Sequence, residues 1–330
     1  MKRVISFSGF VFLLVLATSC STTTTPATTE VAVKKDSLFV VPDTSAIPDN
    51  AFGNLVRYGR RLLLNTAYYI GPDGTVSHNL GNKMNCSNCH LNAGTIPYGL
   101  NFYSTHARYP QYRARENKVL TIEERVNNCI ERPHSGKPLP LDGEEMRAIV
   151  CYIKWLGTGV PIDAHVPGDG LLKLKLPARA ADPVSGEVVY KQQCATCHGN
   201  DGSGKLRADK VCYEYPPLWG VFSYQPGSSM HRVIKAAAFI YANMPNKSSS
   251  YDKPTLTMEQ AFDVAAFIND DRIHKRPVNN GAINYPEIAT KPIDYGVAPY
   301  TDTFPALQHK FGPWQPIIDY RKAKGLPVNF

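Results

Sequence analysis

The stretches Cys86-Ser87-Asn88-Cys89-His90 and Cys194-Ala195-Thr196-Cys197-His198 decide how this chain folds. Both have the spacing Cys-x-x-Cys-His, which is typical of c-type haem attachment. Two thiols a short turn apart can each form a thioether with one vinyl group of the same porphyrin, and the following histidine becomes the proximal iron ligand. A zinc site or a redox Cys-x-x-Cys pair is the alternative, but two complete pentapeptides by chance in 330 residues are negligible. The sequence therefore predicts two covalently bound haem c groups.

The two pentapeptides lie in repeats of one pattern: a helix, the haem motif, a loop and a closing helix. This pattern predicts an all-α fold with two class I cytochrome c domains in tandem, residues 49–165 and 183–275, joined by a linker over 166–182. Residues 276–330 are rich in proline and aromatic residues and are expected to form an extended C-terminal arm laid over both domains. Apolar periodicity predicts helices over residues 52–69, 143–156, 186–193, 229–243 and 258–269. Capping boxes are expected at Thr121/Glu124, Asp142/Glu145 and Thr257/Gln260.

The N-terminus has the pattern of an export signal. Lys2 and Arg3 precede a short apolar run, Gly9–Ala17, which is too short to span a bilayer. It ends at Cys20 in a sequence that resembles a bacterial lipobox, so we expect residues 1–19 to be a signal peptide and Cys20 to carry a lipid anchor. Simple cleavage near Ser19 without lipidation is the alternative.

Residues 20–48 begin with a Ser/Thr-rich stretch that is expected to be a flexible tether. By resemblance to other lipoproteins, Ser21 after the anchored cysteine favours the outer membrane, on the periplasmic side where c-type haem is attached. The formal net charge is +8, but the chain has no basic run, and nucleic acid is excluded as a partner for an exported haem protein.

The second haem needs a sixth ligand, for which Met244 is favoured. It follows a predicted helix and precedes Pro245, which forces the chain to turn and places a thioether on an irregular loop. Methionine ligation would raise the reduction potential of this haem. The alternative ligands are Met230, Met258, His231 and His274.

For the first haem, Cys129 is the candidate sixth ligand. It shares a helix face with apolar residues, the direction in which the haem must lie, on a helix that ends before Pro133. Arg125 and Arg132 lie one turn to either side and would hold the cysteine as a thiolate, the form that binds iron and attacks electrophiles. His106 is the rival ligand, and a buried, inert cysteine is the third interpretation.

Four segments carry a resemblance to a known family: GNKMNCSNCHLNAG (81–94), ERVNNCIERPHSGKPLP (124–140), PPLWG (216–220) and MHRVIKAAAFIYANMP (230–245). In their order and spacing, from about Phe52 to Ile268, the chain resembles the dihaem thiosulfate dehydrogenases, which are related to the dihaem subunit of the sulfur-oxidising (Sox) system. The resemblance implies ligation of the first haem by His90 and Cys129 and of the second by His198 and Met244. It also implies oxidation of two thiosulfates to tetrathionate, with two electrons passed to a small redox protein such as a cytochrome c.

The chain departs from the family directly after the cysteine. Where the family has Arg-Ser-x-Asn-Gly-Lys, this chain has Arg132-Pro133-His134-Ser135-Gly136-Lys137. A hydroxyl and an amide are replaced, whereas the arginines and the lysine that can bind an anion remain.

Three functions remain open from the sequence. In the leading one, Cys129 is both iron ligand and nucleophile, and Arg125 and Arg132 bind the anion. The alternatives are a non-catalytic electron-transfer cytochrome, which does not need the thiolate, and a dihaem peroxidase, which needs an open iron. Two further cysteines, Cys151 and Cys212, are expected to be separate thiols, with a disulfide between them as the alternative in an oxidising compartment.

Overall fold

Helices dominate the parts of the chain that the computed structural model describes, residues 38–277 and 285–330. Strands in these ranges form two short antiparallel hairpins, β1 (Gln111–Arg113) with β2 (Lys118–Leu120) and β3 (Lys205–Leu206) with β4 (Tyr213–Tyr215). The predicted all-α class is confirmed. The predicted signal peptide, Cys20 and the first part of the tether lie outside the described residues. Within the described ranges, no helix is long and apolar enough to cross a membrane.

The first haem motif lies in a domain of five helices. They are α1 (Ala51–Leu64), α2 (Thr66–Ile70), α3 (Leu91–Gly94), α4 (Ile122–Glu131) and α5 (Glu144–Leu156). Helix α1 packs against α5. The apolar face of α5 is buried in this contact, since Met146, Ile149 and Ile153 are each at most 2% exposed.

The second haem motif lies among four helices: α6 (Pro183–Gln193), α7 (Ala195–His198), α8 (Val233–Asn243) and α9 (Met258–Ile268). Helix α9 packs against both α6 and α8. The two domains have separate hydrophobic cores, one centred on α1 and α5 and the other on α6, α8 and α9.

A glycine lies at the main helix crossing of each domain. A Cβ atom at Gly59 would lie 2.0 Å from the carbonyl oxygen of Ala148, and one at Gly186 would lie 1.9 Å from that of Asp263. Only glycine permits so close an approach of two helix backbones. Both domains therefore have the same close helix crossing, in agreement with the repeated pattern of the sequence.

Two details of the helices predicted in the first domain are wrong. The helix expected over 52–69 breaks at Asn65. The separate helix α2 then forms hydrogen bonds with the haem motif and the residue before it. The Ala67 amide donates to Asn85 Oδ1 at 3.0 Å, and Thr66 Oγ1 accepts from the Cys86 amide at 2.9 Å. The capping box at Asp142/Glu145 does not form, because Gly143 is the N-cap of α5 and the Glu145 carboxylate accepts from the Tyr58 hydroxyl instead.

The other two capping boxes are confirmed, at Thr121/Glu124 before α4 and at Thr257/Gln260 before α9. The helix expected over 229–243 is divided, since a 3-10 turn at Ser229–His231 and an extended Arg232 precede α8.

The C-terminal segment is not extended throughout. Its described part, residues 285–330, contains two short helices, α10 (Ala306–Phe311) and α11 (Gln315–Ala323). Trp314 between them is fully buried, with its ring centroid 5.7 Å from that of Phe262 in α9. The segment therefore completes the core of the second domain.

Cys151 and Cys212 are separate thiols, as expected. Cys151 lies on α5 at the edge of the first core, whereas Cys212 is 2% exposed in the turn between β3 and β4.

Candidate functional site

The first haem motif orients its histidine through a backbone carbonyl. A 3-10 turn at Cys86–Asn88 carries the first cysteine, and Nδ1 of His90 donates to the carbonyl oxygen of Leu100. The Phe102 ring stacks on the imidazole with centroids 4.4 Å apart. A hydrogen bond from Nδ1 fixes the tautomer in which Nε2 carries the free lone pair, as an iron ligand requires.

Cys129 lies in the same cavity as the first haem motif. Cys86, Cys89, His90 and Cys129 all line it. The rest of its wall is largely apolar and includes Leu63, Ile70, Val126, Ile130, Ile149 and Ile153. Paired thiols, an oriented imidazole and a thiolate in an apolar cavity are the donor set of a c-type haem, so the residues present fit that group.

The Cys129 thiol is polarised by its neighbours. Arg125, one turn earlier on α4, donates from Nη1 to Cys129 Sγ at 3.0 Å. Burial alone raises the pKa of Cys129, but the charge of Arg125, contact with the His90 ring and the charge of Arg132 outweigh it and lower the pKa to about 6. The cysteine is therefore a thiolate at neutral pH, which is the reactive and metal-binding form.

Arg132 lines the cavity but has different partners from Arg125. Its Nη1 forms an ion pair with Glu116 at 3.0 Å and donates to Asn128 Oδ1 at 3.3 Å. The two arginines that sequence spacing treats as equivalent are thus distinct, because one contacts the sulfur and the other is held by a carboxylate.

Three further arginines of the cavity wall escaped the sequence analysis. Arg113 belongs to β1, Arg115 follows that strand, and Arg232 precedes α8. Two come from the β1–β2 hairpin and the third from the second domain, so no helical spacing connects them to Cys129. Of the three, only Arg232 lies in a segment that carries the family resemblance, 230–245. This position was the one sequence signal that could have identified it.

The structure separates the two histidines near the first haem motif. His106 lies on a 3-10 turn and is not among the residues that line the cavity. His134 lines it, is 4% exposed, and has Nε2 4.0 Å from Cys86 Sγ and Nδ1 3.3 Å from Asn82 Oδ1. Burial lowers the pKa of His134 to about 4, so this side chain, between the departures at Pro133 and Ser135, is a neutral part of the cavity wall.

The second haem motif repeats the orientation of the first. His198, at the end of α7, donates from Nδ1 to the carbonyl oxygen of Pro216 at 2.8 Å. Pro216 begins the segment 216–220, whose Trp219 ring packs so closely on Gly202 that a Cβ there would lie 2.2 Å from it. The residues around Cys194, Cys197 and His198 therefore also fit a c-type haem.

The candidate sixth ligands of the second haem have different surroundings. Met244 directly follows α8 in an extended conformation and, like Met230 and Met258, packs against the same core as Cys194. Met230 lines the first cavity, and Met258 is the first residue of α9. The two histidines are engaged elsewhere: His231 with Asp271 and Lys310, each at 2.8 Å, and His274 stacked on Trp219 with centroids 3.9 Å apart.

Each haem motif lies within a match to a known domain family. Residues 77–162 match the family described as SoxA/TsdA, cytochrome c domain. Residues 181–268 match the family described as cytochrome C oxidase, cbb3-type, subunit III. The chain thus contains two cytochrome c domains.

Curated relatives and one solved structure cover most of this chain. The thiosulfate dehydrogenase of Thiomonas intermedia (strain K12) is 36% identical over 252 residues, 76% of either chain. That of Allochromatium vinosum is 38% identical over 242 residues, 72% of this chain and 84% of the relative. The structure of thiosulfate dehydrogenase (TsdBA) from Marichromatium purpuratum, in its as-isolated form, has a TM-score of 0.67 at 33% identity. That alignment covers 81% of this chain and 54% of the other, so this chain spans about half the length of that protein.

Proposed function

Because the chain belongs to the thiosulfate dehydrogenase family, we propose that it oxidises two thiosulfates to tetrathionate and passes two electrons to an external acceptor. Two covalently bound haem c groups take part, attached at Cys86/Cys89 and at Cys194/Cys197. His90 and Cys129 would hold the iron of the first haem, and His198 and Met244 that of the second.

A single observation carries this proposal, the hydrogen bond of 3.0 Å from Arg125 to Cys129 Sγ inside the cavity that His90 also lines. An electron-transfer cytochrome has no need of a low-pKa cysteine beside a guanidinium. A nucleophilic cysteine that attacks an anion needs both, since the positive charge stabilises the thiolate and attracts the substrate.

The reaction balances with Cys129 as a covalent carrier. The thiolate forms a bond with the outer sulfur of one thiosulfate, and two electrons leave, which gives a cysteine S-thiosulfonate. The outer sulfur of a second thiosulfate then attacks the sulfur that is bonded to Cys129 Sγ. The bond to Sγ breaks, so that tetrathionate leaves and the Cys129 thiolate is restored. Arg125 and the arginines of the cavity wall hold the anions and offset their mutual repulsion. Haem, when bound, supplies the one-electron acceptors that this oxidation requires.

The electrons leave through the second domain. With Cys129 as a thiolate ligand in the first domain and Met244 as a thioether ligand in the second, the haem held by the second domain would have the higher potential and would favour transfer in that direction. The acceptor is a small redox protein such as a cytochrome c. The protein acts on the periplasmic side of the cell envelope, with Cys20 as its lipid anchor in the outer membrane.

Turnover of the wild-type protein tests the proposed function. The haem-loaded protein should oxidise thiosulfate with an artificial acceptor and form one tetrathionate per two thiosulfates. Since Pro133 and Ser135 depart from the family pattern, tetrathionate reduction should be measured as well. A fully loaded protein that turns over neither anion would leave the non-catalytic electron-transfer cytochrome as the function.

Met244→Ala is expected to lower the potential of the second haem and slow electron delivery to the acceptor. A thioether favours ferrous iron, so its loss should lower the potential by on the order of 0.1 V, within the ~0.8 V range that axial ligands span. Redox titration and the red-region Met–iron absorption band measure the effect, with Met258→Ala and Met230→Ala measured beside it as the alternative ligands. A band that survives Met244→Ala but disappears in Met230→Ala would assign the ligand to Met230.

A further inference from the structure

The C-terminal segment reaches the first cavity although it follows the second domain. It lies outside both matched cytochrome c domains, the second of which ends at residue 268. Tyr285, the first described residue after the gap at 278–284, lines the cavity, and its amide donates to the carbonyl oxygen of Arg115 at 2.7 Å. A segment outside the catalytic domain thus forms part of the cavity wall.

Arg115 is fixed by this segment. Its Nη2 donates to the hydroxyl oxygen of Tyr295 at 2.7 Å, and its Nη1 donates to the carbonyl oxygen of Gly227 at 2.6 Å. The guanidinium carbon also lies 5.4 Å from the ring centroids of both Tyr285 and Tyr295. Two hydrogen bonds and two aromatic faces leave this arginine little rotational freedom.

A second arginine of the cavity wall, Arg232, is held by Asp294, the residue before Tyr295. Arg232 donates from Nε to Asp294 Oδ1 at 2.9 Å and from Nη2 to the same oxygen. Asp294 is completely buried. Consecutive residues of the C-terminal segment therefore hold arginines from two different parts of the wall, Arg115 next to β1 and Arg232 before α8.

The stretch that carries Asp294 and Tyr295 is itself rigidly supported. Lys291 is 1% exposed and donates to the carbonyl oxygens of Val297 and Pro299, at 3.1 and 2.8 Å. Arg321 of α11, fully buried, donates to the carbonyl oxygen of Lys291 at 2.8 Å. These hydrogen bonds hold the backbone around Tyr295 in place, so Tyr295 can fix the position of the Arg115 side chain that it contacts.

We propose that Tyr295 is a positioning residue for anion recognition at the first haem, and that it acts by fixing Arg115 in the cavity wall. The inference rests on the proposed function, since the anion is the thiosulfate that Cys129 attacks. An arginine on a free stem loses rotamer freedom when it binds an anion, whereas one that is already fixed does not. The hydroxyl of Tyr295 thus strengthens anion binding without contact with the reacting sulfur.

Tyr295→Phe in the haem-loaded full chain tests the proposal, because it removes one hydroxyl and keeps the ring that packs on Arg115. We expect the KM for thiosulfate to rise roughly two- to tenfold, the range for loss of one hydrogen bond, while kcat stays within about twofold. The effect should disappear in an Arg115→Lys background, because the two residues act as one unit. Tyr320→Phe on α11, whose ring contacts Phe304, is the matched control and should leave both constants unchanged.

Three results would overturn the proposal: an unchanged KM, a fall in kcat alone, or the same KM effect with and without the Arg115 side chain. A measurement of anion binding that does not need turnover tests the role of Tyr295 separately from the proposed function. The ratio of Cys129 alkylation rates by iodoacetate and by neutral iodoacetamide should fall roughly two- to tenfold in Tyr295→Phe. If the wild type turns over no sulfur anion, the proposed function fails, and this ratio alone decides the role of Tyr295: an unchanged ratio rejects it.

Discussion

Replacement of Cys129 by alanine is expected to remove thiosulfate oxidation and the EPR signal of a thiolate-ligated haem together. The side chain is the candidate nucleophile and also lies in the cavity with His90, so one substitution removes both the covalent carrier and the axial ligand. Loss of a nucleophile typically lowers kcat by at least about a thousandfold. Steady-state kinetics and low-temperature EPR of the oxidised, haem-loaded variant measure the two effects.

Cys151→Ala is the matched control, because Cys151 is a separate thiol on α5 and is not among the residues that line the cavity. It should retain both the activity and the signal. A bis-histidine signal that persists in Cys129→Ala would assign the ligand to a histidine, either His106, the rival from the sequence, or His134, which lines the cavity. Retained activity in that variant would exclude Cys129 as the nucleophile.

Most features that depend on residues close in sequence could be predicted, and the capping box at Asp142/Glu145 is the exception. The haem pentapeptides, the capping boxes at Thr121 and Thr257 and the pairing of Arg125 with Cys129 at i and i+4 are all local patterns, and the structure contains each of them. The break at Asn65 could not be predicted, because it depends on hydrogen bonds between α2 and the segment before Cys86, about 20 residues later.

The wall of the first cavity also could not be predicted, because it depends on residues that are distant in sequence. Arg113, Arg115 and Arg232 reach it from a hairpin and from the second domain, and two residues of the C-terminal segment hold two of them. Proline and aromatic content predicted an extended arm, but the burial of Trp314 and Arg321 depends on contacts with residues far away in the sequence. Composition therefore located the segment without revealing that it helps to build the site.

Arg125→Ala should have a larger effect than Arg132→Ala, although sequence spacing places the two symmetrically about Cys129. Arg125 donates directly to the sulfur, whereas Arg132 is paired with Glu116. A hydrogen bond to a charged group contributes about 1.5–3 kcal/mol, so Arg125→Ala should lower kcat/KM roughly ten- to a hundredfold. Both kcat and KM should change, because this guanidinium acts on the thiolate and on the anion.

The pH dependence separates the two arginines further. Burial raises the pKa of Cys129 and the charge of Arg125 is the strongest opposing influence, so without Arg125 the pKa should rise above about 6. The thiolate then forms only at higher pH, and the acid limb of the kcat/KM profile should move to higher pH in Arg125→Ala, with part of the activity recovered there. Arg125→Lys keeps a positive charge and should shift the limb less. Equal shifts in Arg125→Ala and Arg132→Ala would show that net charge in the cavity, rather than the hydrogen bond to the sulfur, sets the reactivity of Cys129.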